Sequence, residues 1–505
     1  MKILEKINRK EKIPLKMIAK KTLLDLLLPK SILYGVLILS PWLFGSVEPW
    51  AKQLLFFFIL LAFLLWIIQK KEEPIFFFPG FVTGLVFLFY LLFQILPLPT
   101  EIVGLFSAER VEIAKKVASL IPMPPGKEIP SSICLSINPK ESYFYLLEFT
   151  GIGLFGFLLY QLLTSPKEIS SLILAMVING FILTLFGIIQ RATFNGKLYW
   201  IRELTQGGDP FGPYVLRTHM GGLLLMIVPL GLGYFLSHFS LSKDNFFSAE
   251  INRQRDFVKK YLLLFFLLVL STGVLLSKSR GAIGSFVISL LLMIALIGSI
   301  EKKDKRLSFF LFIFLFSAIL FSLWLASDLF LSTTERLIQT PVHEEARAEI
   351  WKEALELWKL SPLVGFGLGG FEEAFGLVRT VFPGSYRITH AESDFVELLV
   401  DGGILGIIPV FLFIGSMVFY NGLKIKTLDE KNQKLALGAL CSFLAGLFQG
   451  VANFNMAFMA NMLYLLTSAV LLSKLVRLTP KTKNLFKEKD SFLEKNESHS
   501  FLGSS

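Results

Sequence analysis

Long apolar runs separated by short polar segments dominate the hydrophobic pattern of the chain. A helix that crosses about 30 Å of hydrocarbon needs roughly 17 to 25 apolar residues, and the chain contains about twelve such runs. They lie near 32–47, 53–69, 75–96, 143–163, 170–190, 217–237, 261–277, 282–300, 307–326, 403–420, 435–452 and 459–476. Because a spanning segment must satisfy its own backbone hydrogen bonds, the pattern predicts an all-α, polytopic integral membrane bundle.

The basic residues set the expected topology. Lys and Arg near span ends tend to stay on the cytoplasmic side, and here they cluster in alternate loops, among them 302–306 and 424–434. This pattern predicts a multi-pass membrane protein with both termini in the cytoplasm. We expect the basic N-terminal stretch to remain uncleaved, because no small-residue cleavage site follows Leu26, Leu27 and Leu28 and an apolar span comes soon after.

Composition excludes several other classes of protein. The 505 residues are 53% hydrophobic and only 18% charged, whereas about a quarter is charged in soluble domains. So apolar a chain is not intrinsically disordered, and its two cysteines, Cys134 and Cys441, exclude a disulfide scaffold. The net charge of +11 lies beside the spans, where it suits anionic membrane lipids, so no nucleic-acid partner is expected. No metal-ligand cluster is visible in the sequence.

This topology divides the chain into five parts. They are a basic cytoplasmic N-terminus (1–30), the first nine spans (31–326), an extracytoplasmic catalytic loop of short helices (327–402), the last three spans (403–478) and a disordered cytoplasmic tail (479–505). Two further outer stretches lie near 97–142 and 191–216. The inner loops are short and merely basic, so we expect the chemistry to lie on the outer side.

The longest outer stretch contains an amphipathic helix over residues 346–358. Its apolar face holds Ile350, Trp351, Ala354, Leu355 and Trp358, a composition that suits the membrane interface. Arg347 shares this face, where a guanidinium either holds a lipid phosphate or snorkels to the headgroups. The helix should end near Ser361 and Pro362, before a glycine-rich turn at 365–370 against the membrane surface.

A second outer helix is predicted from residue 389 toward the next span. Thr389 is its candidate N-cap, and Glu392 completes a capping box. His390 and Asp394 are then four residues apart on one face, where Asp394 can hold one imidazole nitrogen and leave the other to accept a proton. The alternative is a structural histidine near a cap.

The short outer connection from Ser277 to Ala282 is the third feature. Arg280 lies in it at the expected outer boundary of the membrane, either as a functional group or as an anchor of the span end. Together, Arg280, Arg347 and His390 predict a site that activates a hydroxyl against a lipid-linked phosphate.

These segments, in this order, resemble the bacterial O-antigen ligase and Wzy-type polymerase superfamily. The matching segments are Ser279–Ala282, Arg347–Trp351, Ser361–Gly369, His390–Ala391, Asp394–Phe395 and Gly403–Gly406. Weaker matches are Leu185–Gln190, Phe211–Tyr214 leading to Arg217 and His219, and Asn453–Asn455.

The chain departs from the family pattern at three places. Leu216–His219 stands where many relatives carry Asn-Arg-Asn-His, and Asn453 stands where Asp is usual. We therefore expect the second outer stretch to hold a different sugar, with Arg217 and His219 as candidate glycan-binding residues. Glu392 takes the place of the histidine that precedes an Asn-Asp-Tyr segment in many relatives, so the base could be His390 or Glu392.

The resemblance implies a protein of the bacterial inner membrane with a periplasmic active site. It also implies an inverting, metal-independent glycosyl transfer without a cofactor, from a glycan carried on undecaprenyl pyrophosphate. Arg280 and Arg347 would bind the pyrophosphate and stabilise its developing charge, and His390 would take the proton of the acceptor hydroxyl. A ligase, which we favour, would use lipid A-core as acceptor. A polymerase would use a second lipid-linked glycan, and a protein O-oligosaccharyltransferase a Ser or Thr. A lipid-linked glycan transporter and a non-catalytic scaffold are the alternatives of other classes.

Overall fold

The computed structural model describes residues 28–70, 74–120, 130–204, 208–238, 250–300, 305–325, 342–380 and 387–479. Three expectations concern residues outside these ranges: the uncleaved N-terminal stretch, the disordered tail and the beginning of the long outer loop.

Helices make up nearly all of the described structure. They are α1 (28–39), α2 (Pro49–Gln69), α3 (Phe81–Ile95), α4 (Thr100–Phe106), α5 (Ala108–Ser119), α6 (Pro139–Leu162), α7 (Pro166–Ala192), α8 (Arg217–His238), α9 (Glu250–Leu276), α10 (Arg280–Ile300), α11 (Lys305–Leu325), α12 (Val342–Leu360), α13 (Phe371–Phe375), α14 (Asp394–Gly415), α15 (Asn421–Ile425), α16 (Glu430–Val451) and α17 (Met459–Leu478). A π-helical turn, Ser416–Tyr420, joins α14 to α15. The strands of the described part are two short antiparallel pairs, β1 (Leu98–Pro99) with β2 (Ser132–Ile133) and β3 (Lys197–Leu198) with β4 (Arg202–Glu203).

The spans follow the hydrophobic pattern closely. Within the described residues, nine helices are long and apolar enough to cross a membrane, and Phe81–Ile95 and Ser308–Phe321 are shorter apolar helices. The run near 32–47 is different, because helix ends at residue 39 and two 3-10 turns, Ser40–Trp42 and Phe44–Ser46, follow. The all-α, polytopic membrane fold is thus confirmed.

Helix α8 forms the centre of the bundle. In its 18-residue apolar stretch, 89% of the residues are buried inside the protein. The helix packs against α9, α10 and α16. It lies close to α16 at Gly233 and Gly438, where a Cβ on Gly233 would lie 2.9 Å from the Gly438 Cα. Small residues allow such close helix packing in membrane proteins.

Helix α12 lies over the end of the bundle, as a separate cap. It ends at Leu360, as predicted. Its buried stripe is Ile350, Ala354 and Leu357, which packs in one apolar cluster with α13 and the start of α14. Leu355 is 40% exposed. The apolar face of α12 therefore packs against protein, and the prediction that it lies on the membrane interface is wrong.

The glycine-rich turn packs against α14. Gly365, with φ +67°, and Gly367, with φ +94°, are left-handed. The backbone N–H groups of Phe366 and Gly367 donate to the carbonyls of Val400 (3.1 Å) and Asp401 (2.9 Å). These two hydrogen bonds join the glycine-rich turn to α14, and we call this contact the seam. The seam takes the place of the expected contact with the membrane surface.

The predicted boundary between the outer loop and the last spans, at 402 and 403, coincides with a break in α14. Two helical segments meet at Gly403, whose φ of +58° and ψ of −167° are not helical. The segment before the break, which begins at Asp394, is held against the glycine-rich turn through the carbonyls of Val400 and Asp401.

Candidate functional site

His390 lies in the turn before α14, not inside the helix. The N-cap of α14 is Ser393, whose Oγ accepts from the Val396 N–H (3.5 Å). Glu392 has a left-handed φ of +57°, so the chain reverses direction just before the helix begins. The predicted cap at Thr389, with its capping box, is therefore wrong, as is the expected i, i+4 relation between His390 and Asp394.

Glu397, and not Asp394, is the carboxylate that holds His390. The Nδ1 atom of His390 lies 3.0 Å and 3.1 Å from the two carboxylate oxygens of Glu397. One of these oxygens also accepts the Ala391 backbone N–H, at 3.0 Å. Asp394 instead accepts the Met456 N–H (3.0 and 3.2 Å). The predicted pairing of Asp394 with His390 is thus corrected to Glu397, one helical turn further on.

The surrounding charges set the protonation of His390. Burial lowers the pKa of the imidazole, but the charge and hydrogen bond of Glu397, together with the charge of Glu392, raise it by more, so the pKa lies above its ordinary value of 6.5. The side chain of His390 remains 24% exposed. The ring is thus partly exposed and lies in a negative environment.

Helix α12 brings Arg347 to the same turn. Its Nη2 lies 3.2 Å from a carboxylate oxygen of Glu392, and the Trp351 indole N–H donates to the Ala391 carbonyl at 2.9 Å. The side chains of Arg347 and Glu392 are 36% and 29% exposed. The guanidinium is therefore held at the turn that carries His390 and remains partly exposed, where it can reach an anionic group.

An aromatic ring from another part of the chain covers one face of His390. Phe454 stacks on the imidazole, with centroids 4.3 Å apart and planes at 13°. On the same side, His219 contacts Phe454 and lies on Phe458, at centroid distances of 4.7 and 3.9 Å. His219 is fully buried, so in this structure it supports the aromatic layer and does not face a glycan.

The neighbouring Arg217 is paired in the second outer stretch. Its Nη1 forms an ion pair with Asp209, which also pairs with Arg191 at 3.1 Å. Arg191, Asp209 and Phe194 line a small cavity of about 200 Å³. Arg217 thus lies next to an open, charged recess, whereas His219 lies in the core.

Arg280 lies at the same end of the bundle, on helix α10. It is the first residue of α10, whose start is capped by Ser279 accepting the Ala282 N–H at 3.2 Å. A Cβ on Gly281 would lie 3.2 Å from the Gln449 side chain near the end of α16. The next residue of α16, Gly450, lies against Asp394. The end of α16 therefore connects the start of α10 with the start of α14.

Sequence reasoning missed Glu397 and Phe454. The sequence shows Glu397 as a carboxylate seven residues after His390. This spacing predicts a contact only once the helix is known to begin at Asp394, with His390 in the turn before it. Phe454 lies in the weaker match Asn453–Asn455, and nothing in its local sequence indicates that it stacks on a histidine 64 positions earlier.

The arrangement is suited to proton transfer and to binding an anion. A ring nitrogen of His390 can accept a proton, while Arg347 presents a planar cation beside it. Within the described residues, no group of three or more His, Cys, Asp or Glu side chains is placed to hold a metal ion.

The residues of this site lie in a segment of the chain that matches a known protein family. Residues 264–411 match the family model described as O-antigen ligase, a segment that includes Arg280, Arg347, His390 and Glu397. The chain is also similar to the exopolysaccharide production protein ExoQ of Rhizobium meliloti (strain 1021), with 28% identity over 96 residues. That match covers 18% of this chain and 22% of ExoQ. The predicted resemblance to the O-antigen ligase and Wzy-type superfamily is confirmed.

Proposed function

Because residues 264–411 match the O-antigen ligase family model, we propose that the chain is an O-antigen ligase-like glycosyltransferase. It moves a glycan from undecaprenyl pyrophosphate to an acceptor hydroxyl on the periplasmic face of the inner membrane. The observation that carries this proposal is the turn before α14. There a partly exposed histidine is bonded to a carboxylate, and the glutamate two residues later is paired with a partly exposed arginine.

In this mechanism His390 is the general base and Arg347 binds the donor. The acceptor hydroxyl gives its proton to the imidazole as its oxygen attacks the anomeric carbon of the donor sugar. The bond from that carbon to the pyrophosphate oxygen breaks with inversion, and undecaprenyl pyrophosphate leaves with the bonding electrons. Arg347, with Arg280 from α10, stabilises the negative charge on the leaving group.

Glu392 is the weaker candidate for the base. Its carboxylate already forms an ion pair with Arg347, and this contact would have to break before the carboxylate could take the proton of an acceptor hydroxyl. Glu392 instead keeps Arg347 beside His390 before the donor arrives. The pyrophosphate would then compete with Glu392 for the guanidinium.

Lipid A-core is the first acceptor to test. The second candidate is polymerisation, in which another lipid-linked glycan accepts the chain. The similarity to an exopolysaccharide production protein favours this alternative. Transfer to a protein Ser or Thr uses the same donor chemistry.

The test is glycan transfer in membranes supplied with an undecaprenyl-pyrophosphate-linked oligosaccharide and lipid A-core. Native protein is compared with His390→Ala, Arg347→Ala and the control Lys352→Ala at matched expression. Lys352 lies on α12 with its side chain 75% exposed. Loss of the base should lower the rate roughly 10²- to 10⁴-fold. Loss of a charge-assisted contact worth about 1.5–3 kcal/mol should lower it roughly ten- to a hundredfold.

The products separate the candidates. Glycan on lipid A-core supports the ligase, whereas longer lipid-linked chains support the polymerase. If donor crosses the membrane without transfer, the protein is a transporter. If native protein transfers and all three variants match it, the proposed site is wrong.

A further inference from the structure

Glu397 contacts only one of the two ring nitrogens of His390, the Nδ1 atom. An ionised carboxylate can only accept hydrogen bonds, so the two short contacts to Nδ1 place a proton on that nitrogen. The Ala391 N–H holds the same carboxylate from the backbone side. The Nε2 atom of His390 forms no hydrogen bond to any described residue, so its lone pair is available.

Phe454, which stacks on the imidazole, also fixes the orientation of the His390 ring. Its loop is fastened to the start of α14 by two contacts of Asp394, whose backbone N–H donates to the Asn453 carbonyl (3.2 Å) and whose carboxylate accepts the Met456 N–H. Asp394 therefore acts on His390 indirectly, by keeping the stacked ring of Phe454 in place.

We propose that Glu397 is a positioning residue of the transfer reaction, holding His390 with Nδ1 protonated so that Nε2 accepts the proton of the acceptor hydroxyl. This inference rests on the proposed function. In the step itself, the hydroxyl proton moves to Nε2, the Nδ1 proton stays in place, and Glu397 remains ionised and stabilises the resulting imidazolium.

Several charged groups face the His390 ring. Glu397 on α14 and Glu392 in the adjoining turn favour the protonated ring, whereas Lys52 on α2 opposes it. His219 on α8 lies across the Phe454 ring and is close enough to interact electrostatically with His390. Of these groups, Glu397 is the one hydrogen-bonded to the ring, so its substitution should change the titration of His390 most.

The kinetic test uses Glu397→Gln, which keeps the size of the side chain and removes its charge. We expect kcat to fall roughly 10²- to 10⁴-fold, with KM for donor and acceptor unchanged. The acid limb of the rate profile should move to lower pH, because the neighbouring anion is gone. Glu397→Asp should keep the acid limb near its native position. The control is Glu356→Gln, an exposed residue of α12 paired with Lys359.

A second measurement does not depend on transfer activity. Diethyl pyrocarbonate modifies neutral imidazole, and peptide mass mapping separates His390 from the other four of the five histidines. Its modification in full-length native protein and in Glu397→Gln is followed against pH. A midpoint that moves to lower pH in the variant supports the positioning role, even if no acceptor is found and the proposed function fails. A midpoint and acid limb that both stay at the native values would overturn it.

Discussion

Gly365→Ala should separate the outer cap from the bundle, because this glycine forms the seam with α14. Its φ is +67°, and an added Cβ would lie 2.4 Å from the Asp401 carbonyl oxygen and 2.5 Å from that of Val400. Both are backbone atoms of buried residues of α14, so they cannot rotate away. A left-handed alanine costs roughly 1–2 kcal/mol, and overpacking about 1–3 kcal/mol more. The expected loss of stability is therefore about 2–5 kcal/mol.

The assay is thermal unfolding in detergent, followed by tryptophan fluorescence, together with glycan transfer. The control is Gly376→Ala in the same cap, where φ is −58° and the nearest atom to an added Cβ is the Glu373 carbonyl oxygen at 3.6 Å. Gly365→Ala should melt at lower temperature than the control and transfer less, because Arg347 loses its position beside His390. Equal melting and equal transfer of the two variants would refute the proposed seam.

Three further predictions concern the turn before α14 and its surroundings. Transfer by native protein should rise with pH, because only neutral imidazole accepts a proton. Half of the maximal rate should be reached above pH 6.5, because the pKa of His390 is raised. A midpoint below pH 6.5 would contradict this. Trp351→Phe removes the hydrogen bond to the Ala391 carbonyl and should cost about 1 kcal/mol, seen as a lower melting temperature, and unchanged melting would argue against this contact. Arg387→Ala removes an exposed ion pair with Glu372 and should leave melting and transfer unaltered, so a clear loss of either would assign that pair a role.

The spans and the candidate cations could be predicted because their signals are local. Membrane crossing depends on apolar length, which a run of residues carries by itself. The amphipathic helix was predicted from its period and ended where Ser361 and Pro362 indicated. What covers its apolar face was mispredicted, since Ile350 and Ala354 pack in the same cluster as residues of α13 and α14, and a period does not identify the partner.

The sequence by itself determined that this protein is a helical membrane bundle with Arg347 and His390 outside its spans. Only the tertiary structure decided which carboxylate serves His390. A hydrogen bond requires atoms within about 3 Å. In the structure the helix begins only at Asp394, after the left-handed Glu392, and Glu397 is the carboxylate that lies within this distance of His390. Phe454 and the buried His219 likewise take their places through packing of distant segments, and no local pattern of residues specifies such contacts.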